Sequence, residues 1–133
     1  MAFRGLRPAL LAMALAGAGC AAVPDDILWT SSERVTMAPG KDFAACTAAA
    51  VAGVPDLRTT TDPKMNPIAD DYLALKGPAV DALRGPVGGI TRRGTTIQVD
   101  LVSQHHKIPD EATQQAAGKL VSDLAARLAA QCS

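Results

Sequence analysis

The stretch TTIQVDLVS, residues 95–103, decides the fold because its side chains alternate in character. Ile97, Val99 and Leu101 occupy every second position, and polar residues such as Gln98 and Asp100 stand between them. Successive side chains of a β-strand point to opposite faces, so this strand has one buried face and one solvated face. The pattern predicts an antiparallel sheet that is covered on one side only.

Shorter segments on the N-terminal side extend this sheet. Residues 87–92 are predicted to form a hairpin with the strand over residues 95–103, and Arg93-Gly94 is the predicted turn. Residues 54–61 carry β-branched side chains that favour a strand, and residues 72–76 form another short strand. Two Gly-Pro steps bracket a predicted turn of helix over residues 79–84.

Two long helices are predicted to cover the buried face of the sheet. The first spans residues 41–52 and ends at Gly53, which is free to adopt positive φ. The second opens at Pro109-Asp110-Glu111, with acidic residues in its first turn, and runs to about Gln131. The apolar positions of the first helix are Phe43, Cys46, Thr47, Ala50 and Val51, and those of the second are Ala117, Leu120, Val121, Leu124, Leu128 and Cys132.

Both of these helices carry a cysteine on the apolar stripe. Cys46 and Cys132 should therefore face the same core, and we predict a disulfide between them. The alternative is two buried, reduced cysteines. A disulfide would make a large contribution here, because aromatic residues account for only 3% of the chain and the core is correspondingly light.

The fold class predicted from these elements is α+β, with a single domain over residues 27–133. It contains a small antiparallel sheet of about three to five strands, with the two long helices on one face joined by the disulfide. Trp29, the single tryptophan, is predicted to pack against one edge of the core, and stacking on a ligand is its alternative role.

The overall charge balance argues against nucleic-acid binding. The chain of 133 residues has 13 basic and 13 acidic residues and no net charge. Basic and aromatic residues are not interleaved, so neither a phosphate-binding stripe nor a base-stacking surface is indicated. We therefore expect no nucleic-acid partner.

The N-terminus has the order of a secretory signal. Arg4 and Arg7 precede an apolar run over residues 9–18, and the first acidic residue is Asp25. About ten apolar residues would cover roughly 15 Å as a helix, which is half of a bilayer core near 30 Å. Residues 1–19 are thus predicted to be a signal peptide and not a membrane-spanning anchor.

The end of this signal resembles a bacterial lipobox. Small residues stand directly before a cysteine in the sequence Leu15-Ala16-Gly17-Ala18-Gly19-Cys20. The resemblance to bacterial membrane lipoproteins implies that Cys20 receives a diacylglyceryl group and becomes the new N-terminus, with residues 20–26 as a tether. Ala21 in place of Asp implies sorting to the outer membrane, on its periplasmic face. The alternative is ordinary signal-peptidase cleavage, which would leave a soluble periplasmic or secreted protein.

Candidate catalytic and metal-binding residues are few. The adjacent residues His105-His106 point to opposite sides of a strand end, and no third ligand has a useful spacing. The acidic pairs Asp25-Asp26 and Asp70-Asp71 lack an apolar cleft in the sequence pattern, and Ser103 near His105 lacks a nucleophile elbow. We therefore predict no catalytic residues, no metal and no cofactor.

The basic pair Arg92-Arg93 lies at the presumed tip of the hairpin. A solvated turn is its simplest interpretation. The sharper hypothesis is contact with lipid head groups or with an acidic partner.

Two functional hypotheses follow. The first is a non-catalytic envelope lipoprotein that binds or scaffolds a periplasmic or outer-membrane component, with a membrane anchor at Cys20. The second is an exported periplasmic domain that binds a small ligand or inhibits an enzyme through the solvated face around Tyr72, Gln98 and Asp100. A pocket on that face favours the second hypothesis, whereas a flat polar face favours the first.

Overall fold

The fold is built on a five-stranded antiparallel sheet with the strand order β1-β5-β4-β3-β2. The computed structural model describes residues 29–61, 69–104 and 107–133. The strands are β1 (Thr30–Thr36), β2 (Arg58–Thr61), β3 (Asp71–Lys76), β4 (Val87–Arg93) and β5 (Thr96–Val102), and the helices are α1 (Phe43–Ala52), α2 (Pro78–Asp81) and α3 (Glu111–Cys132). The predicted α+β class and antiparallel sheet are confirmed.

The central strand β5 has the alternation that its sequence predicts. Ile97, Val99 and Leu101 are completely buried, whereas Gln98 and Asp100 on the other face are partly exposed. The buried face of β5, together with Ile90 of β4, belongs to the single hydrophobic core of the described residues. We call this side of the sheet the helix face and the other side the open face.

The helices α1 and α3 pack together on the core. The long helix α3 contacts β1 and β5, and α1 contacts α3 and β2. Asp42 caps α1, and Asp110 caps α3 by accepting a hydrogen bond from the backbone N–H of Thr113, which holds the pKa of Asp110 below its ordinary value. Two long helices were predicted, but α1 is short and only α3 is long; the short α2 corresponds to the turn of helix predicted between the two Gly-Pro steps.

The disulfide between α1 and α3 is confirmed. Cys46 and Cys132 are joined, with their Cα atoms 5.2 Å apart. Both residues lie in the core, and Cys132 is completely buried. The bond ties the C-terminal end of α3 to the start of α1, so the two helices cannot separate without its reduction.

Several predicted boundaries were wrong for local reasons. The strand predicted over residues 54–61 begins only at Arg58, because the preceding residues form a turn in which Asp56 has a φ of 59°. The helix predicted over residues 79–84 spans Pro78–Asp81. Gly53 ends α1 with a φ of −83°, so the predicted positive φ is not used.

The hairpin turn lies one residue later than predicted. Arg93 is the last residue of β4 and pairs with Thr96, so Gly94 and Thr95 form the turn in place of Arg93-Gly94. Gly94 has a φ of 61°, which the first residue of a type II′ turn requires. Arg93 is thereby placed in a strand, where the pleat determines its face.

The strand β1 is not predicted by the apolar pattern of the sequence. Its sequence TSSERVT contains one apolar residue, Val35, which packs against the core. The strand lies at the edge of the sheet and pairs with β5 along its whole length, from Thr30 opposite Val102 to Thr36 opposite Thr96. Trp29, immediately before it, packs against the core as predicted.

One buried polar group in α1 has no partner among the described residues. Thr47 is completely buried, and its Oγ1 atom makes no hydrogen bond there. Since an unpaired buried hydroxyl costs about 1 to 3 kcal/mol, Thr47→Val should raise the free energy of unfolding by a similar amount. Urea denaturation will measure the change. Thr47→Ser, which keeps the hydroxyl, should give no gain, and a Thr47→Val protein less stable than the parent would contradict this interpretation.

Candidate functional site

The register of the sheet places a row of polar side chains on the open face. Arg34 of β1 lies opposite Gln98 of β5, Gln98 lies opposite Thr91 of β4, and Thr91 lies opposite Tyr72 of β3. Opposed residues in an antiparallel sheet share a face. Asp100 and Thr96 flank Gln98 on the same face, because each lies two positions away along β5.

A depression of about 310 Å³ lies on this part of the open face. Its lining residues belong to β1, β5 and β4, which are neighbours in the sheet. Of the three residues predicted for the binding face, Gln98 and Asp100 line it, and Tyr72 does not. The six lining residues are Arg34, Thr91, Arg93, Thr96, Gln98 and Asp100.

Tyr72 lies on the predicted face but packs sideways. A Cβ atom built on Gly89 would lie 2.7 Å from the Tyr72 ring, so the ring lies directly against this glycine. Gly89 is opposite Asp100 in the sheet. Tyr72 therefore contacts the sheet beside the depression.

A chain of hydrogen bonds crosses the depression. Arg34 Nε donates to Gln98 Oε1 at 3.0 Å, and Gln98 Nε2 donates to Asp100 Oδ2 at 3.0 Å. The Gln98 side chain is fixed at both ends by these bonds. Within the described ranges, the terminal nitrogens of Arg34 and the Oδ1 atom of Asp100 have no protein partner.

The two arginines of the depression have no carboxylate partner in the described part of the chain. Arg93 makes neither a hydrogen bond nor an ion pair through its side chain there, and it is exposed. The one carboxylate of the depression, Asp100, forms no ion pair within 4 Å with either arginine. Two guanidinium groups are thus available to an anion, and they present planar donors suited to a carboxylate or phosphate.

The neighbouring Arg92 has a different role. Its Nε donates to Asp71 Oδ2 at 2.6 Å, its guanidinium lies 3.6 Å from Asp70, and it stacks 5.9 Å from the centre of the Phe43 ring. Successive side chains of β4 alternate between faces, so Arg92 serves the helix face and Arg93 the open face. The prediction that Arg92-Arg93 forms a solvated turn is therefore wrong for Arg92.

The remaining candidates from the sequence do not form a site. Asp70 also accepts from the Gly94 N–H at 2.7 Å, so the pair Asp70-Asp71 braces the hairpin. The Ser103 hydroxyl accepts a hydrogen bond from the Trp29 N–H at 3.2 Å, which links the end of β5 to the residue before β1. His105-His106, Asp25-Asp26 and Cys20 lie outside the described residues.

None of the other cavities compared on the described surface brings two arginines together. One of about 240 Å³ is lined by Arg84 and Lys107, which form no ion pair in the described residues but lie in loops and not on the open face of the sheet. The largest of those compared has a volume of about 430 Å³ and lies between the end of α1 and α3. Of its two charged residues, Asp123 is paired with Lys119 at 2.6 Å, and the Arg127 guanidinium lies against Gly53. No set of three potential metal ligands occurs in residues 29–61, 69–104 and 107–133.

The environment of Asp100 makes a pH-dependent prediction. Burial raises the pKa of this carboxyl above its ordinary value of 3.8, and the hydrogen bond from Gln98 opposes the rise. The folded protein then binds this proton at a higher pH than the unfolded chain, so ionisation of Asp100 destabilises the fold at neutral pH. That cost disappears as the pH falls through the raised pKa toward 3.8.

Asp100→Asn should therefore be more stable than the parent at pH 7, and this advantage should shrink at pH 4. Urea denaturation of both proteins at the two pH values measures the difference. Other carboxyl groups titrate equally in both proteins and cancel in the comparison. An advantage of equal size at both pH values, or none at pH 7, would contradict the assignment.

The described helices include none with the length and hydropathy needed to span a bilayer. Comparisons of the chain with protein-family models, with curated proteins and with solved structures return no match.

Proposed function

We propose that this chain is an exported, non-catalytic envelope protein whose open sheet face binds a small anionic ligand. The observation that carries the proposal is the depression in which Arg34 and Arg93 have no carboxylate partner among the described residues. The presence of a depression on this face favours ligand binding over the flat scaffold that was the other hypothesis.

The electrostatics of the depression select for negative charge. Two arginines and one aspartate line the depression, so the charge of its described lining is net positive. An incoming carboxylate or phosphate therefore meets a net positive site.

The proposed location rests on the N-terminal sequence. The lipobox-like segment ending at Cys20 supports export, lipidation of Cys20 and attachment to the periplasmic face of the outer membrane. The short tether over residues 20–26 would leave the domain in the periplasm, within reach of small solutes and of envelope proteins. If this face inhibits an enzyme, the enzyme must present an anionic group to the depression.

Binding can be tested by isothermal titration of the exported protein with three anions: phosphate, D-glucuronate and cyclohexanecarboxylate. At least one should bind saturably, and Arg34→Gln and Arg93→Gln should each weaken that binding by about ten-fold, the usual effect of losing one charge-assisted hydrogen bond. Lys119→Gln is the matched control, because it removes one charge from α3 on the opposite side of the sheet. The proposal fails if none of the three anions binds, or if Lys119→Gln has the same effect.

The anchor has its own test. Intact-mass analysis and N-terminal peptide mapping of protein extracted from native membranes should show a chain that begins at Cys20 and carries acyl mass. An unmodified chain beginning at any other residue would overturn the lipid anchor and leave an exported soluble protein.

A further inference from the structure

The depression contains an acceptor as well as donors, and the two are not paired with each other. Asp100 Oδ2 accepts from Gln98, and Oδ1 has no partner in the described residues. Neither Arg34 nor Arg93 forms an ion pair with this carboxyl there. A ligand that satisfies the whole depression must therefore present an anionic group to the arginines and a hydrogen-bond donor to Asp100.

The sheet register fixes the separation of these two parts. Arg93 lies in the Thr96 row, and Asp100 lies two rows further along the sheet and one strand closer to the edge. From the spacing of strands and the rise per residue, their Cα atoms lie about 14 Å apart. Arg34 lies closer to Asp100, because the Gln98 side chain bonds to both of them. The adjacent carboxylate and ammonium of a simple α-amino acid can therefore reach Arg34 and Asp100, but they cannot reach Arg93 as well. A six-membered ring with a carboxylate is long enough to do so with the reach of the side chains.

The surroundings of the acceptor favour hydroxyl donors. Thr91 and Thr96 line the same depression and add two hydroxyl groups, each able to donate and accept. Asp100 Oδ1, which has no partner in the described residues, can accept a hydrogen bond from a ligand hydroxyl beside these two threonines.

Taking these observations together, we infer that the ligand is an acidic sugar or a similar hydroxyl-bearing ring carboxylate, with its carboxylate at Arg34 and Arg93 and its hydroxyls at Asp100. This inference rests on the proposed function, and it adds the class of the ligand and its direction in the depression. The ligand cannot bind in the opposite direction, because its carboxylate would then lie against the Asp100 carboxylate.

Three ring carboxylates of similar size separate the possibilities: D-glucuronate, cyclohexanecarboxylate and trans-4-(aminomethyl)cyclohexanecarboxylate. Titration calorimetry of the exported protein should show glucuronate binding about ten-fold more tightly than the other two, the factor expected for hydrogen bonds to a charged acceptor. D-Glucose, which lacks the carboxylate, should not bind measurably.

Variants of Asp100 assign the effect to the proposed atom. Asp100→Ala should abolish the preference for glucuronate over cyclohexanecarboxylate, because it removes the acceptor of the ligand hydroxyls. The readout is the ratio of the two affinities measured on the same variant, which cancels any change that loss of the Gln98 bond causes at Arg34.

The outcomes are distinguishable from failure of the proposed function. Equal binding of glucuronate and cyclohexanecarboxylate would overturn the acidic-sugar assignment while leaving an anion site. Tightest binding of the aminomethyl compound would overturn it in favour of a zwitterionic ligand. Absence of binding by all three carboxylates and by phosphate would overturn both the assignment and the proposed function.

Discussion

Removal of the disulfide is expected to cost about 4 kcal/mol of folding free energy, the largest effect of any change considered for this protein. Cys46 and Cys132 are separated by 86 positions in the sequence, and cross-links that close long loops restrict the unfolded chain most strongly, by up to about 4 to 5 kcal/mol. Small domains have total stabilities of about 5 to 15 kcal/mol. The Cys46→Ala/Cys132→Ala protein should therefore be near the limit of stable folding.

The dependence on this bond follows from the composition of the core. Among the described residues, the core consists mainly of aliphatic side chains and alanines, with Met37, the two cysteines and one phenylalanine, Phe43. Such a core buries less apolar area than one built from aromatic residues. Tethering α3 to α1 through Cys132 compensates for the smaller area, because it holds the helix that covers β5 in place.

Urea denaturation under oxidising and reducing conditions measures this contribution. Reduction of the parent protein should cause most of the loss seen in the double alanine variant, because both treatments release the same loop. The alanine variant alone should show no further response to reductant. A change below about 1 kcal/mol in either comparison would show that the bond contributes far less than loop closure predicts.

Substitution of Gly88 is expected to give the second large effect. A Cβ atom on Gly88 would lie 1.8 Å from the Asp100 carbonyl oxygen, which is backbone and cannot rotate away. Gly88→Ala must therefore push β4 away from β5. Overpacking of this kind costs about 1 to 3 kcal/mol, and we expect the upper end of that range because two backbones are involved.

The displacement should also reach the proposed binding site. The backbone carbonyl that the new Cβ atom would displace belongs to Asp100, and the Asp100 side chain lines the depression. Gly88→Ala should thus weaken anion binding as well as stability, whereas a variant that only lowers stability would leave binding by the folded fraction unchanged.

Gly118→Ala provides the matched control with the opposite sign. Gly118 lies inside α3, and the nearest atom to its added Cβ is Ser31 Oγ at 3.9 Å, an ordinary contact. Alanine is favoured over glycine within a helix, so stability should rise by about 0.5 to 1 kcal/mol. If urea denaturation shows Gly88→Ala to be as stable as the parent, the close approach of β4 and β5 at this position is wrong.

The sequence predicted those parts of the fold whose side chains meet the core. The alternation in β5 is visible because Ile97, Val99 and Leu101 must be buried, and the periodicity of α1 and α3 is visible for the same reason. The disulfide followed from the same periodicity, since it placed Cys46 and Cys132 on buried stripes. Buried positions can be recognised in the sequence by the spacing of the apolar residues.

Features that depend on backbone pairing could not be predicted in this way. The strand β1 has a polar sequence because most of it is exposed, and only its hydrogen bonds to β5 make it a strand. The early residues of the strand predicted over 54–61 were instead a turn, because Asp56 adopts a left-handed backbone conformation that β-branched composition does not reveal.

The residues of the candidate site also differ in whether the side-chain pattern or the backbone pairing determines their position. Gln98 and Asp100 were predicted because they lie on the solvated face of a strand with clear alternation. Arg34 was missed because its place beside Gln98 depends on the register of β1. Arg93 was noticed only as part of a basic pair, and the one-residue shift of the hairpin turn determines that it reaches the open face and Arg92 does not.

Binding of an anion to the open face of the sheet can be located by chemical-shift mapping of the ¹⁵N-labelled protein during titration with D-glucuronate, because this measurement reports where a ligand binds as well as whether it binds. Saturable shifts are expected at the amides of Thr91, Thr96, Gln98 and Asp100 and at the side chains of Arg34 and Arg93, with α3 unaffected. Shifts concentrated on α1 or α3, or no saturable shift with glucuronate, phosphate or cyclohexanecarboxylate, would contradict binding at this face.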